Sequence, residues 1–304
     1  MMIREPAVAG KFYADDPKQC LADVEACARL AAADAAEASG EGEAEGGASG
    51  ADRIIGGVVP HAGWVFSGAV AARVFAAMAA GEHPQAIVVF GAIHVLHGPR
   101  PTVFPSGAWQ TPLGLAHIDD RLAERLHGQT GLLDVDPHAH DGEHSIEVEV
   151  PFIQHLMPDS LVVPIMVPVN DKAAALGRSV GRTCRDYGVR AAFICSTDLT
   201  HYGPSFNFTP QGEGAEALRW SKEVNDRRMI DLMLEMRADA AVEEAVKHRN
   251  ACGGGAIAAT LAACAAYGAK RTHVLEHTTS AEVARELSLA APRDAVGYAG
   301  IVID

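Results

Sequence analysis

Two short runs, "AIVVF" at 86–90 and "AAFIC" at 191–195, contain no polar side chain. A strand with one face in water alternates apolar and polar residues. An unbroken apolar run therefore marks a strand covered on both faces, which requires helices on either side of its sheet. The surrounding segments obey that constraint. Residues 54–59 read as a strand, and 67–80 as an Ala-rich helix with Ser67 as its N-cap. Residues 119–127 read as a short helix. "LVVPIMV" at 161–167 is strand-like, and Pro164 points to an edge or a bulge. Residues 171–187 form a helix stopped by Gly188. Further helices are expected within 221–248 and at 255–267, and strands at 272–275 and 296–303. The Pro-, Gly- and Trp-punctuated stretch 101–115 reads as a hairpin or irregular excursion. The expected fold is α/β: a mixed, mostly parallel central sheet with helices on both faces, in a single domain spanning 1–304.

The chain of 304 residues is 48 % hydrophobic, enough for a substantial core, and carries a net charge of −14. That charge argues against nucleic acid or an anionic membrane as the main partner. Part of it is local: "AAADAAEASGEGEAEGGASGA" at 31–51 holds five acids and no base, and the remainder is still about −9. This stretch is too low in complexity to build a core and reads as a flexible surface insertion. The N-terminus has no apolar core of a signal peptide. The longest uncharged run, 251–269, is dominated by Ala and Gly and reads as a buried helix rather than a membrane span. The six cysteines form no CxxC pair and no dense framework, as expected of reduced thiols in the cytoplasm. Five read as packing residues. Cys252 stands apart because it precedes a glycine triplet that opens a helix. Glycines there permit a close backbone approach, and a helix start favours the anionic form of a thiol.

In a sheet of this kind, sites gather beyond the carboxyl ends of the strands. Three apolar runs end in polar residues: "VVPHAG" in His61, "VVFGAIHVLHG" in His94 with His97 nearby, and "FICSTDLTHYG" in Ser196, Asp198 and His201. Any one of these is more often a structural histidine than a ligand. Three in one sheet, brought to one edge by the fold rule, read as a site. The segment "HDGEHSIEVEVPF" adds Glu143, His144 and Glu147; it fits a strand or a helix, and either faces solvent or joins the site. Imidazoles with a thiolate suit iron, zinc or copper rather than magnesium or calcium. Histidines with Asp198 or Glu143 would instead form the two-histidine, one-carboxylate set of non-haem iron. Spacing alone leaves both sets open. No GxGxxG opens a helix, and neither a P-loop nor a GxSxG elbow occurs.

"REPAVAGKFYADDP", "PHAGWVFSG", "FGAIH", "DGEHSIEVEVPF", "STDLTHYG" and "NACGGG" occur in this order. Together they resemble the Memo family over nearly the whole chain. In bacteria and archaea that family is the B component of the AmmeMemoRadiSam system. The resemblance implies a fold like the class III, LigB-type extradiol dioxygenases, and metal ligands at His61, His94 and Cys252. It places His144, Asp198 and His201 nearby as candidate catalytic residues. It also implies iron, taken first as iron(II), or copper, while zinc stays open on donor chemistry alone, and it implies a radical SAM protein and an AMMECR-type protein as candidate partners. Two features depart from the family pattern: Val95 beside the second ligand, and the length and acidity of 31–51.

The expected activity is that of a metal-dependent oxidoreductase of dioxygenase-like fold. In it, His201 and His144 move protons and Asp198 orients a histidine or a water. The competing reading is a non-catalytic module that binds a small molecule, a peptide or a metal, with Trp64, Phe66 and Tyr202 lining its pocket. A zinc hydrolase is the third.

Overall fold

The computed structural model describes residues 1–38, 53–96, 98–290 and 292–304. In chain order the first elements are β1 (Ile3–Arg4), α1 (Pro17–Ala38), β2 (Gly56–Val59), α2 (Trp64–Ala79) and β3 (Ala86–Gly91). The short strands β4 (Thr102–Val103), β5 (Ala108–Thr111) and β6 (Gly114–His117) precede α3 (Asp120–Thr130) and β7 (Asp134–Val135). The middle of the chain forms α4 (Val150–Leu156), β8 (Leu161–Met166), α5 (Ala173–Tyr187), β9 (Ala191–Ser196) and β10 (His201–Tyr202). Helices α6 (Ala215–Trp220), α7 (Arg227–Leu234), α8 (Ala241–His248) and α9 (Gly254–Tyr267) follow. The end of the chain supplies β11 (Thr272–Thr279), α10 (Ser280–Glu286) and β12 (Ala295–Ile303).

The main sheet has nine strands along the path β10-β12-β2-β9-β3-β8-β4-β7, with β11 on β12. Its centre, β2-β9-β3-β8, is wholly parallel, and the flanking pairs of β12 with β2 and β4 with β8 are antiparallel. The two apolar runs are β3 and β9, adjacent at the middle of the sheet, and every residue of both is buried. Alternate residues feed two separate cores. Val58, Val88 and Phe193 pack on the side of α5 and α9, whereas Val59, Val89 and Ile194 pack on the side of α2 and α4. This is the physical content of an apolar run: with helices on both faces, neither side of the strand meets water. β5 and β6 form the expected hairpin, and with β1 they make a separate small sheet.

Several boundaries differ from expectation. Helix α1 continues through Ala38, so the first part of the acidic stretch is helical; its remainder, 39–51, lies outside the described residues. Helix α2 starts one turn early, with Gly63 as its N-cap, and the Ser67 hydroxyl donates back to Ala62 O. The "HSIEVEVPF" segment is helical: a 3-10 turn at Glu147–Glu149 leads into α4. Its acids are not solvated, since Glu143, Glu147 and Glu149 are all buried. Residues 221–248 are helical as expected and fall into pieces, with a π-helical turn at Ser221–Asp226 running into α7 and α8 following. No helix among the described residues is long and apolar enough to cross a membrane.

Candidate metal centre

The sheet register brings the site together. Ser196, the last residue of β9, pairs with Val59 at the end of β2 and with Gly91 at the end of β3. Three parallel strands therefore stop level with one another, and the loops that leave them carry His61, His94 and Asp198. The His61 and His94 rings lie 5.0 Å apart between centroids. His144 joins them at 5.3 Å from His61 and 4.5 Å from His94. One ligand atom from each of His61, His94 and His144 falls within 4.8 Å of the others, a spacing that a single metal ion can bridge. The Cys252 sulfur stands beside this cluster, 3.3 Å from His61 Nε2.

His61 and His94 each have an orienting partner. The Ser196 hydroxyl has one proton, which it donates to Ser145 O, so it accepts from His61 Nδ1 at 2.9 Å. That leaves His61 Nε2 as a lone-pair donor facing the cluster. His94 Nδ1 donates to Glu143 Oε1 at 3.0 Å. Burial opposes a charge on this ring, but its bonds to the Cys252 sulfur and to Glu143 outweigh burial and push it up to about 10, so a metal at Nε2 would displace a proton. A carboxylate or hydroxyl on the far nitrogen is the arrangement that sets the tautomer of metal-ligating histidines. Glu143 also accepts the main-chain N–H groups of His94, His144 and Ser145. Burial opposes its charge, but these hydrogen bonds outweigh burial and hold the carboxyl well below the usual carboxylate range. Burial, then the neighbouring imidazoles, pushes His61 well below its ordinary value, and His144 is lowered by the same two causes. Both rings are thereby kept neutral, the form that binds metal.

Asp198 acts on the backbone rather than on a ring. Its Oδ1 accepts the N–H of His61 at 2.8 Å, while its own N–H donates to the Cys252 sulfur at 3.2 Å. The Cys252 N–H returns a bond to Asp198 O at 3.2 Å. Asp198 thus joins the loop after β2 to the start of α9. The glycine triplet makes that junction possible. A Cβ on Gly253 would fall 2.8 Å from Thr197, one on Gly254 2.5 Å from Ala245, and one on Gly255 2.3 Å from Pro168 O. The close approach expected of these glycines is to the protein itself. Gly91 serves the other side: a Cβ there would lie 2.5 Å from Ile146, so only glycine lets the segment after His144 close over β3.

His201, half-buried, places Nδ1 3.1 Å from Leu199 O, and its ring meets Phe206 edge-on. It shares a cavity with Cys252 but is not among the clustered histidines. Its loop is fixed from behind by Asp226, on the π-helical turn, which accepts the Thr200 N–H at 2.9 Å and lies 3.1 Å from His277 Nε2. His97 lies outside the described residues. Two of the proposed pocket aromatics are packing residues. Trp64 donates to Val148 O and stacks on Tyr13, and the buried Tyr202 donates to Gly212 O. The aromatic at the cluster is Phe12, whose ring lies 4.8 Å from His144. No periodicity singles it out in the sequence.

The sequence model of Memo-like proteins matches residues 4–302. The chain belongs to the Memo family. It is similar to a MEMO1 family protein of Pyrococcus furiosus, 34% identical over 310 residues with 99% of each chain covered. A MEMO1 family protein of Methanothermobacter thermautotrophicus is 36% identical over 303 residues, covering 98% of this chain and 99% of the relative. Among solved structures, the uncharacterized protein JW3007 from Escherichia coli K12 aligns with a TM-score of 0.48 and 14% identity, over 76% of this chain and 91% of that one. The family match spans all of the histidines, carboxylates and the cysteine described above.

Proposed function

We propose that this Memo-family chain holds a transition metal, iron(II) first and copper or zinc by the same donors, and is a dioxygenase-like oxidoreductase. The observation that carries the reading is the convergence of His61, His94 and His144 to within 4.8 Å, with Ser196 behind His61 and Glu143 behind His94. The donor set fits the group: imidazoles with a sulfur alongside suit borderline and soft metals. When bound, such a metal supplies Lewis-acid chemistry and, for iron or copper, electron transfer. The chain's own residues supply the rest. Cys252, already against His61, completes the ligand set. His201 donates through Nδ1 to Leu199 O, so its Nε2 is the nitrogen that takes and returns a proton. Asp198 sets the distance between His61 and Cys252. His144 either ligates or relays a proton beside the metal.

The test is element analysis of protein purified without oxygen, followed by oxygen uptake with a panel of catechols and small thiols. We expect one transition metal per chain, strongly reduced by His61→Ala and by Cys252→Ala without loss of fold. The loaded protein should consume oxygen faster than the free metal. His201→Ala should slow it by about 10²–10⁴-fold with the metal retained, the range typical of an acid–base residue. A metal-free wild-type protein overturns the metal assignment. Metal without oxygen uptake overturns the oxidoreductase and leaves a binding module.

A further inference from the structure

A cavity of about 320 Å³ opens beside Cys252 and reaches the surface past His201, Arg249, Val169, Leu199 and Val246. Arg249 is the residue there that needs an explanation. It caps the end of α8 with φ 51, in the left-handed region where glycine or asparagine is the usual residue. A long side chain stands at this position against the backbone preference. Its guanidinium is held in place: Nη2 donates to Phe206 O and Nη1 to Asn207 O, both at 3.1 Å, and the group lies 4.7 Å over the Phe208 ring. Those bonds use two of five N–H groups. Among the described residues no carboxylate pairs with it, although the chain carries 39 acids against 25 Lys and Arg. No residue lining the cavity is acidic. The backbone between Arg249 and Cys252 is anchored by the wholly buried Asn250, whose amide donates to Asn225 O and Glu244 Oε1. The guanidinium is thus set at a fixed place relative to the sulfur.

We infer that Arg249 is the anion-recognition residue of this site, and that the molecule acted on is a small organic anion with an apolar body. The inference rests on the metal-site reading above for what happens after binding, but not for binding itself. A planar guanidinium matches two oxygens of a carboxylate or of a phosphate monoester. Val169, Leu199 and Val246 offer apolar surface to the rest of the molecule. The volume admits one ring-sized ligand rather than a polymer.

The experiment is calorimetric titration of the full chain, metal-free and zinc-loaded, with benzoate, phenyl phosphate and the neutral benzamide. At least one anion should bind about tenfold or more tightly than benzamide, as expected when a charge-assisted hydrogen bond is at stake, and the tighter of the two names the class. Arg249→Gln should abolish that preference while leaving benzamide binding and zinc content unchanged, although the melting temperature falls with the lost bonds to Phe206 O and Asn207 O. A merely structural arginine would move all of these together. Arg249→Lys, which keeps the charge but not the two-point geometry, should restore part of the preference, and it also serves if the Gln variant folds poorly. Equal binding of benzamide and both anions, no binding of either anion to the wild type, or an undiminished preference in both variants overturns the proposal. Failure of zinc uptake with the Arg249-dependent preference intact removes the metal reading and supports this one.

Discussion

The two halves of the centre are built by different means. His61, Asp198 and Cys252 hang from the ends of the central strands and the start of α9, and main-chain groups hold them. Thr197 N–H donates to Val59 O, Leu199 N–H to Gly297 O, and Asp198 bonds His61 and Cys252 through N–H groups. His94 and His144 instead depend on a loop and a 3-10 turn that have no ladder of their own. Charge holds them. Glu143 collects three main-chain N–H groups and one imidazole. Behind it Arg4, from the first strand of the chain, forms a buried ion pair with Glu147 at 2.6 Å, donates to His140 O and Glu143 O, and lies 4.2 Å over Trp109. Glu147 in turn accepts from Ala7, Val8 and the Tyr13 hydroxyl. A sheet edge positions ligands through hydrogen bonds that any sequence can make. A loop can match that rigidity only by burying charges whose partners are all satisfied.

Breaking the charged half should do the most damage. Arg4→Met leaves Glu147 as an unpaired buried carboxylate, which costs about 3–5 kcal/mol. Urea denaturation should read that loss, and histidine NMR resonances of the folded remainder should shift for His94 and His144 more than for His61. Equal shifts on both sides would show that the two halves are one unit.

A smaller effect is expected one shell closer to the metal. Glu143→Gln keeps the side-chain shape and one oxygen acceptor but removes the charge that fixes the His94 tautomer. Loss of such a partner weakens metal binding by about 10–100-fold. Competition with a chelator measures it, with circular dichroism unchanged. Unaltered affinity would mean that the main-chain bonds of Glu143, not its charge, position His94.

The third test lies at the seam and reads a slope with pH rather than a single loss. Glu149 is wholly buried, with Oε1 3.4 Å from Ser196 Oγ and Oε2 without a partner. Burial, then the nearby Asp198 charge, pushes its carboxyl well above the ordinary range. The unfolded chain releases this proton near the usual carboxylate value, whereas the folded chain keeps it. Over that interval the unfolded state binds fewer protons, so stability falls as pH rises, by at most about 1.4 kcal/mol per pH unit for one proton. In metal-free protein, Glu149→Gln should flatten the stability profile between pH 4 and 8 and make the variant the more stable at the upper end. An identical slope in both proteins would place the carboxylate in contact with water.

The two halves were also unequally legible before the structure. His61, His94 and Asp198 stand at apolar-run ends, and the rule for parallel sheets was enough to place them at one edge; Cys252 was marked by its glycine triplet and joined them only through the family resemblance. The central strands were legible for the same reason: five residues without a polar side chain allow few alternatives. The segment 143–149 was not, because its alternation fits two periods and its acids look solvated until Arg4 is set beside them.

By itself, then, the chain determined the sheet, the covering of both its faces and the strand ends where chemistry collects, since hydrophobic periodicity and strand crossover are local properties. Only the tertiary structure decided that His144 lies in the cluster, that Ser196 and Glu143 set the tautomers, that the glycine triplet faces protein rather than ligand, and that Arg249 opens onto Cys252. The tautomer contacts and the approach of Cys252 to His61 join groups 49, 135 and 191 positions apart at hydrogen-bond distance. Contacts over such separations are set by how elements pack, which no window of sequence contains.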